Sequence, residues 1–154
     1  MADQPHVMIA VARFYDDIAD ELLRGATAAL ESAGATWEVV EVPGAFEIPA
    51  AISTAVRALE FVGARRRFDG YVALGCVIRG ETTHYDYVCG ETARALQDLA
   101  VRYCLALGFG VLTVENRAQA AERAGVDRRN KGGEAASVCL SMIEMKRTFG
   151  LFPR

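Results

Sequence analysis

The chain has 154 residues, 52% of them hydrophobic and 24% charged, with a formal net charge of −3. That length and composition suit one domain with one substantial core. The small negative balance gives no reason to expect nucleic acid or an anionic membrane as partner.

No apolar run approaches the ~20 residues that cross a bilayer. Residues 1–6 lack the basic start and apolar stretch of a signal peptide, so a cytoplasmic location is expected. Cys76, Cys89, Cys104 and Cys139 are scattered through apolar segments with no Cys-x-x-Cys pair, and two histidines are too few for a Cys/His metal cluster. Buried free thiols in a reducing compartment are the expectation. The basic triplet Arg65, Arg66 and Arg67 reads as a solvated surface.

Residues 7–12 (VMIAVA) form a continuous apolar run, the signature of a buried parallel strand. Asp16 and Asp17 supply an N-cap and first-turn negative charge. Ile18, Leu22, Ala26, Leu30 and Ala33 then recur at helical spacing until Gly34 closes the helix. Residues 37–42 (WEVVEV) predict a second strand, broken by Pro43 and Gly44, and Ile48, Ile52, Val56 and Leu59 mark a second helix. Residues 64–69 read as a polar connector. Residues 71–78 predict a third strand, and about 85–107 a long third helix with Val88, Leu96, Leu99 and Tyr103 on its apolar face. Residues 109–114 (FGVLTV) predict a fourth strand. Glu115 and Asn116 lead into a short helix over 118–123, residues 125–133 make a charged, Gly-flanked loop, and the last helix spans 134–147.

Strands alternating with helices predict an α/β three-layer sandwich: a four-stranded parallel sheet with right-handed crossovers and helices on both faces. In such sheets ligands sit beyond the carboxyl ends of the strands. Those ends hold Arg13, Phe14 and Tyr15, residues 43–47, residues 79–84, and Glu115 with Asn116. After the third strand, a short polar loop of Gly80, Glu81, Thr82 and Thr83 restarts as a helix with His84 at its mouth. Free backbone N–H groups there can meet an anion, with an imidazole beside them.

The residues alone leave alternatives open. His84 reads as a proton-transfer group or as a helix-terminal cap. Phe14 and Phe109 read as exposed rings or as ordinary core. Arg123 and Lys131 read as anion-binding cations or as solvated charges. Glu47 reads as a ligand group or as first-turn dipole stabilisation.

Six segments together carry a resemblance: Ala12-Arg13-Phe14, residues 42–49 (VPGAFEIP), residues 75–87 (GCVIRGETTHYDY), residues 109–113 (FGVLT), Glu115-Asn116 and Asn130-Lys131-Gly132. In this order and spacing they resemble lumazine synthase, over about residues 7–146. The resemblance implies a flavodoxin-like sandwich and a condensation of 5-amino-6-(D-ribitylamino)uracil with 3,4-dihydroxy-2-butanone 4-phosphate. That reaction releases phosphate and water in the penultimate step of riboflavin biosynthesis, with no metal and no redox cofactor.

It also implies roles. His84 moves protons, and Phe14 stacks on the pyrimidine-type ring. Ala45, Phe46 and Glu47 bind substrate, Glu47 through the ribityl hydroxyls. Cys76, Val77 and Ile78 present main-chain groups to the pyrimidine, and no chemistry is assigned to the Cys76 thiol. Phe109 lines the pocket from a neighbouring subunit, and Lys131 helps to hold the substrate. Arg123 binds the phosphate together with Glu81 and Thr82. A carboxylate beside a phosphate repels it, so Glu81 is expected to lend its N–H and turn its side chain away.

The implied assembly is built on pentamers with sites shared between adjacent subunits, and riboflavin synthase is a candidate associate. The charged Asp127, Arg128 and Arg129 in the 125–133 loop favour a pentamer or decamer over a sixty-subunit shell. Three other readings compete with the enzyme: a pentamer that only stores or senses a flavin or lumazine, an electron carrier holding FMN, and a structural shell. The carrier is disfavoured because Arg13, Phe14, Tyr15 and Asp16 stand where it would place a Ser/Thr-rich phosphate loop.

Overall fold

A computed structural model describes residues 4–61 and 68–151; Arg65, Arg66 and Arg67 and the first three residues lie outside the described residues. The elements are β1 (His6–Ala12), α1 (Asp16–Ser32), β2 (Thr36–Val42), a 3-10 turn (Ala45–Glu47), α2 (Ile48–Phe61), β3 (Gly70–Ile78), α3 (His84–Tyr103), β4 (Leu107–Val114), α4 (Arg117–Ala124) and α5 (Lys131–Thr148). The four strands are parallel in the order β2-β1-β3-β4. Strand order therefore reverses between β1 and β3, the position at which open α/β sheets bind ligands.

The continuous apolar runs of β1 and β3 follow from burial on both faces. Val7, Ile9 and Val11 of β1, with Val72, Leu74 and Cys76 of β3, pack under α1, α4 and α5 through Leu22, Leu30, Ala120, Ala136 and Ile143. The alternate residues Met8, Ala10, Ala12, Tyr71 and Ala73 pack under α2 and α3 through Ile48, Ile52 and Leu96. This period-two division makes the three-layer, flavodoxin-like α/β sandwich. No helix among the described residues is long and apolar enough to cross a membrane.

Several boundaries differ from those the sequence predicts. Helix α3 stops at Tyr103 because Cys104 is left-handed (φ 53), and both Cys104 and Leu105 donate back to the Ala100 carbonyl. Leu105 and Leu107 continue the apolar spacing, but Leu105 leads into β4 and Leu107 opens it, two residues earlier than predicted. At this exposed helix end Cys104 is itself exposed, and Cys89, near the start of α3, is half-buried, against the expectation that all four thiols are buried. Tyr103 is likewise exposed rather than core. Asp16 lies in the first turn and does not cap it: Tyr15 is the N-cap residue, and Asp16 pairs with Arg13. The polar connector ends in two buried residues, Phe68 and Asp69, with Asp69 accepting the His6 N–H at 2.8 Å.

Helix α5 begins three residues before its predicted start. Asn130 adopts the left-handed conformation (φ 46) and its side chain accepts the Gly133 N–H at 3.2 Å. Asn tolerates that geometry better than most residues. Gly132 lies in the first turn because α1 passes so close: a Cβ there would stand 2.8 Å from the Leu22 carbonyl carbon. Burial lowers the pKa of Lys146, near the other end of α5.

Candidate active site

All of the predicted site residues but Glu81 and Thr82 line one or other of two separate cavities. The first, of about 570 Å³, opens at the β1/β3 strand ends. It is lined by Phe14, Ala45, Phe46, Glu47, Cys76, Val77, Ile78 and His84, together with Tyr15, Pro43, Gly44, Tyr87 and Val88. Its walls are mostly apolar and aromatic, with one imidazole and one carboxylate, a composition suited to a planar heterocycle with a polar tail.

Phe14 follows β1 directly and is 72% exposed. One side of its ring meets Tyr15 edge-on, with centroids 4.9 Å apart. Behind Tyr15 stands Arg117, which also pairs with Asp17 and holds that carboxyl below its ordinary range. Phe46 is 55% exposed, and the Glu47 side chain makes no hydrogen bond among the described residues. Glu47 sits in the 3-10 turn ahead of α2 rather than in α2 itself. Cys76 is buried, and burial pushes its thiol up to about 11, so it stays protonated at neutral pH. His84 is the first residue of α3; its N–H donates to the Thr82 hydroxyl at 3.3 Å, and its ring is exposed.

The second cavity, of about 420 Å³, runs along β4, the edge strand, beside the start of α5. Phe109, Arg123 and Lys131 line it, with Thr113, Glu134 and Val138. Phe109 is 47% exposed. Arg123 donates to the Gln119 carbonyl at 3.2 Å, which leaves most of its guanidinium N–H groups for an incoming anion. Lys131 pairs with Glu134 at 2.8 Å. None of the residues lining this cavity lines the first.

Glu81 and Thr82 line neither cavity. The N–H groups of Gly80, Glu81, Thr82 and Thr83 donate no hydrogen bond among the described residues, as an anion-receiving loop requires. Arg79 anchors this loop at its base. Its N–H donates to the Val114 carbonyl at 2.9 Å, and its guanidinium reaches Glu115 at 2.7 Å and Asp86 at 3.5 Å while lying 4.2 Å over the Tyr85 ring.

With this geometry in view, comparison with known proteins is decisive. A family model described as 6,7-dimethyl-8-ribityllumazine synthase matches residues 4–147. The chain belongs to that family. A lumazine synthase of Bartonella tribocorum is 53% identical over 97% of this chain and 95% of its own length. Lumazine synthase 1 of Rhizobium meliloti is 57% identical over 94% of each chain. A lumazine synthase of Agrobacterium fabrum is 54% identical over 96% of this chain and 98% of its own.

Beyond the roles that the lumazine synthase resemblance implies, the structure adds lining residues to which the sequence motifs gave no role. Tyr15, Tyr87 and Val88 complete the first cavity, and Thr113 and Glu134 the second. Glu134 was detectable only with α5 known to begin at Lys131 rather than at 134, because a carboxylate three residues after Lys131 on one helix faces it. Tyr87 and Val88 were not, because an aromatic and an aliphatic residue on a helix read first as core.

Proposed function

We propose that this chain catalyses the lumazine synthase reaction, joining 5-amino-6-(D-ribitylamino)uracil to 3,4-dihydroxy-2-butanone 4-phosphate with loss of phosphate and water. The observation that carries the reading is the division of complementary chemistry between two cavities with no residue in common. The first offers the exposed face of Phe14 to a flat pyrimidine, a contact worth ~1–3 kcal/mol. Its Glu47 has unused acceptor capacity for the ribityl hydroxyls. Main-chain groups of Cys76, Val77 and Ile78 lie along the same wall.

The second supplies Arg123 and Lys131, a fork and a point charge for the phosphorylated substrate. Neither cavity alone holds both recognition elements and the imidazole. The complete site is therefore formed where the first cavity of one subunit meets the second cavity of its neighbour, in a cytoplasmic homo-oligomer built on pentamers. Glu81 and Thr82 lend backbone N–H groups to the phosphate, with the Glu81 carboxylate directed to solvent. Riboflavin synthase, which would consume the product, is a candidate associate.

His84 is the proton-transfer residue. Imine formation between the arylamine and the ketone, expulsion of phosphate and ring closure each move a proton near neutral pH, where imidazole is well matched. Its ring makes no hydrogen bond among the described residues and faces the first cavity, so it can exchange protons with a bound intermediate. The test is direct: purified protein is mixed with both substrates and the fluorescent lumazine is followed. His84→Ala slows turnover, and Arg123→Ala raises the KM of the phosphorylated substrate. Absence of product from the wild-type protein, with tight riboflavin binding, would replace catalysis by storage.

A further inference from the structure

The loop that carries Glu81 and Thr82 and ends on His84 has little to hold it. Thr83, the N-cap residue of α3, makes no side-chain cap, and four successive N–H groups of the loop donate no hydrogen bond among the described residues. Gly80 has no atom within 4 Å of where a Cβ would stand. The Thr83 carbonyl accepts the Asp86 and Tyr87 N–H groups at 3.0 and 3.4 Å, the His84 N–H donates to the Thr82 hydroxyl, and the side-chain contacts that link the base of this turn to β4 and α3 run through Arg79.

Arg79 stands at the exit of β3. Its Nε donates to Glu115 at 2.7 Å, just beyond the end of β4, and its Nη1 reaches Asp86 in the first turn of α3 at 3.5 Å. Its flat face covers the Tyr85 ring at 4.2 Å, within cation–π range. Tyr85 in turn lies against Cys89 and against Thr113, a wall residue of the second cavity. One side chain thus joins three elements around the residue next to His84, yet Arg79 lines neither cavity.

We propose that Arg79 is a positioning residue: its Glu115–Asp86–Tyr85 clamp sets where the anion loop and the His84 imidazole stand. The clamp needs a planar fork with a stackable face, which Lys does not provide. The inference rests on the catalytic reading of His84, and small displacements at a reacting centre are costly, about 10²-fold for 1 Å.

The test uses the full-length oligomer as Arg79→Ala, Arg79→Lys and Glu115→Gln, with thermal unfolding to show that each variant is folded. Arg79→Ala is expected to lower kcat by about 10- to 100-fold while the KM for the ribitylaminouracil stays within about twofold, since its contacts lie in the first cavity. Arg79→Lys and Glu115→Gln fall between. An independent readout comes from histidine labelled with carbon-13 in the ring, because the chain has only two histidines. In Arg79→Ala the His84 signal is expected to shift or broaden. His6 lies at the other end of the sheet, held by Thr36 at 2.7 Å and stacked on Phe68, and its signal stays.

A folded Arg79→Ala with unchanged kcat and an unchanged His84 signal overturns the proposal. So does a rise confined to the KM of the phosphorylated substrate, which would make Arg79 a direct phosphate ligand. A loss of thermal stability with wild-type kcat in the folded fraction would make it structural only. If the wild-type protein forms no lumazine, the catalytic reading fails by itself, and the His84 signal still decides the role of Arg79.

Discussion

Two variants that are each defective should restore one another when their subunits are mixed. His84→Ala damages the first cavity and leaves the second intact; Arg123→Ala does the reverse, since no residue lines both. If a site draws its first cavity from one subunit and its second from the neighbour, mixing the two variants in equal amounts restores about one quarter of the sites, one half for each intact contribution. If both cavities of one chain serve one site, every site carries a lesion and nothing is restored. A second arm mixes wild type with the double variant His84→Ala/Arg123→Ala. Shared sites then leave about one quarter intact, and single-chain sites about one half. The assay is lumazine fluorescence after the subunits are unfolded together and refolded, with each variant refolded alone as the baseline. Mixed variants no more active than their parents, with one half of the activity surviving in the second arm, would refute the shared site.

Gly132→Ala should destabilise the chain by ~3 kcal/mol in urea unfolding, because the new Cβ meets the rigid backbone of α1 at Leu22. Gly90→Ala is the control: it lies inside α3 with nothing within 4 Å of a Cβ, and should stabilise by ~0.5–1 kcal/mol. Burial pushes the Cys139 thiol, which donates to the Ala106 carbonyl, up to about 12 from an ordinary 9.0. Below pH 9 the thiol is neutral in both states; above it the unfolded chain loses the proton first, so stability falls with rising pH until about 12. Cys139→Ala should therefore lose ~2 kcal/mol less than wild type between about pH 9 and pH 10.5 in urea titrations. Glu81→Ala should leave the KM of the phosphorylated substrate unchanged or lower, and a large rise would show that the carboxylate itself is needed.

The parts of this molecule that sequence reveals are those set by local period. Residues 7–12 and 71–78 read as buried strands because both of their faces are covered. The first cavity lies at the carboxyl ends of the strands, as ligand sites in parallel sheets do, lined by Phe14 and Tyr15 after β1, residues 43–47 after β2 and His84 at the start of α3. Where local and tertiary demands diverge, the reading fails. Leu105 and Leu107 extend a helical period that Cys104 has already ended. Gly132 and Gly133 look like loop punctuation, but they open a helix: at Gly132 the backbone of α1 leaves no room for a side chain, and at Gly133 the capping Asn130 side chain leaves none. Arg79 stands out in the sequence only as the first residue of the 79–84 strand end; its three partners come from the ends of two elements, and no spacing along the chain brings Glu115 to it.

Which site residues meet is set by strand order. With β1 and β3 in the middle of the sheet, the loops after them flank one crevice, and Phe14, residues 45–47 and His84 gather there. β4 lies outside β3, so Phe109, Arg123 and Lys131 gather along its free edge. A free parallel edge carrying a half-exposed Phe109 is a surface that folded proteins cover. A neighbour that covers this edge and brings its own β1/β3 crevice against it would bury Phe109, place a heterocycle beside Arg123 and Lys131, and supply the imidazole the second cavity lacks. On that reading the edge strand's need for cover and the site's incompleteness are relieved by one contact, so a substitution that breaks the subunit interface should abolish turnover even with every lining residue intact.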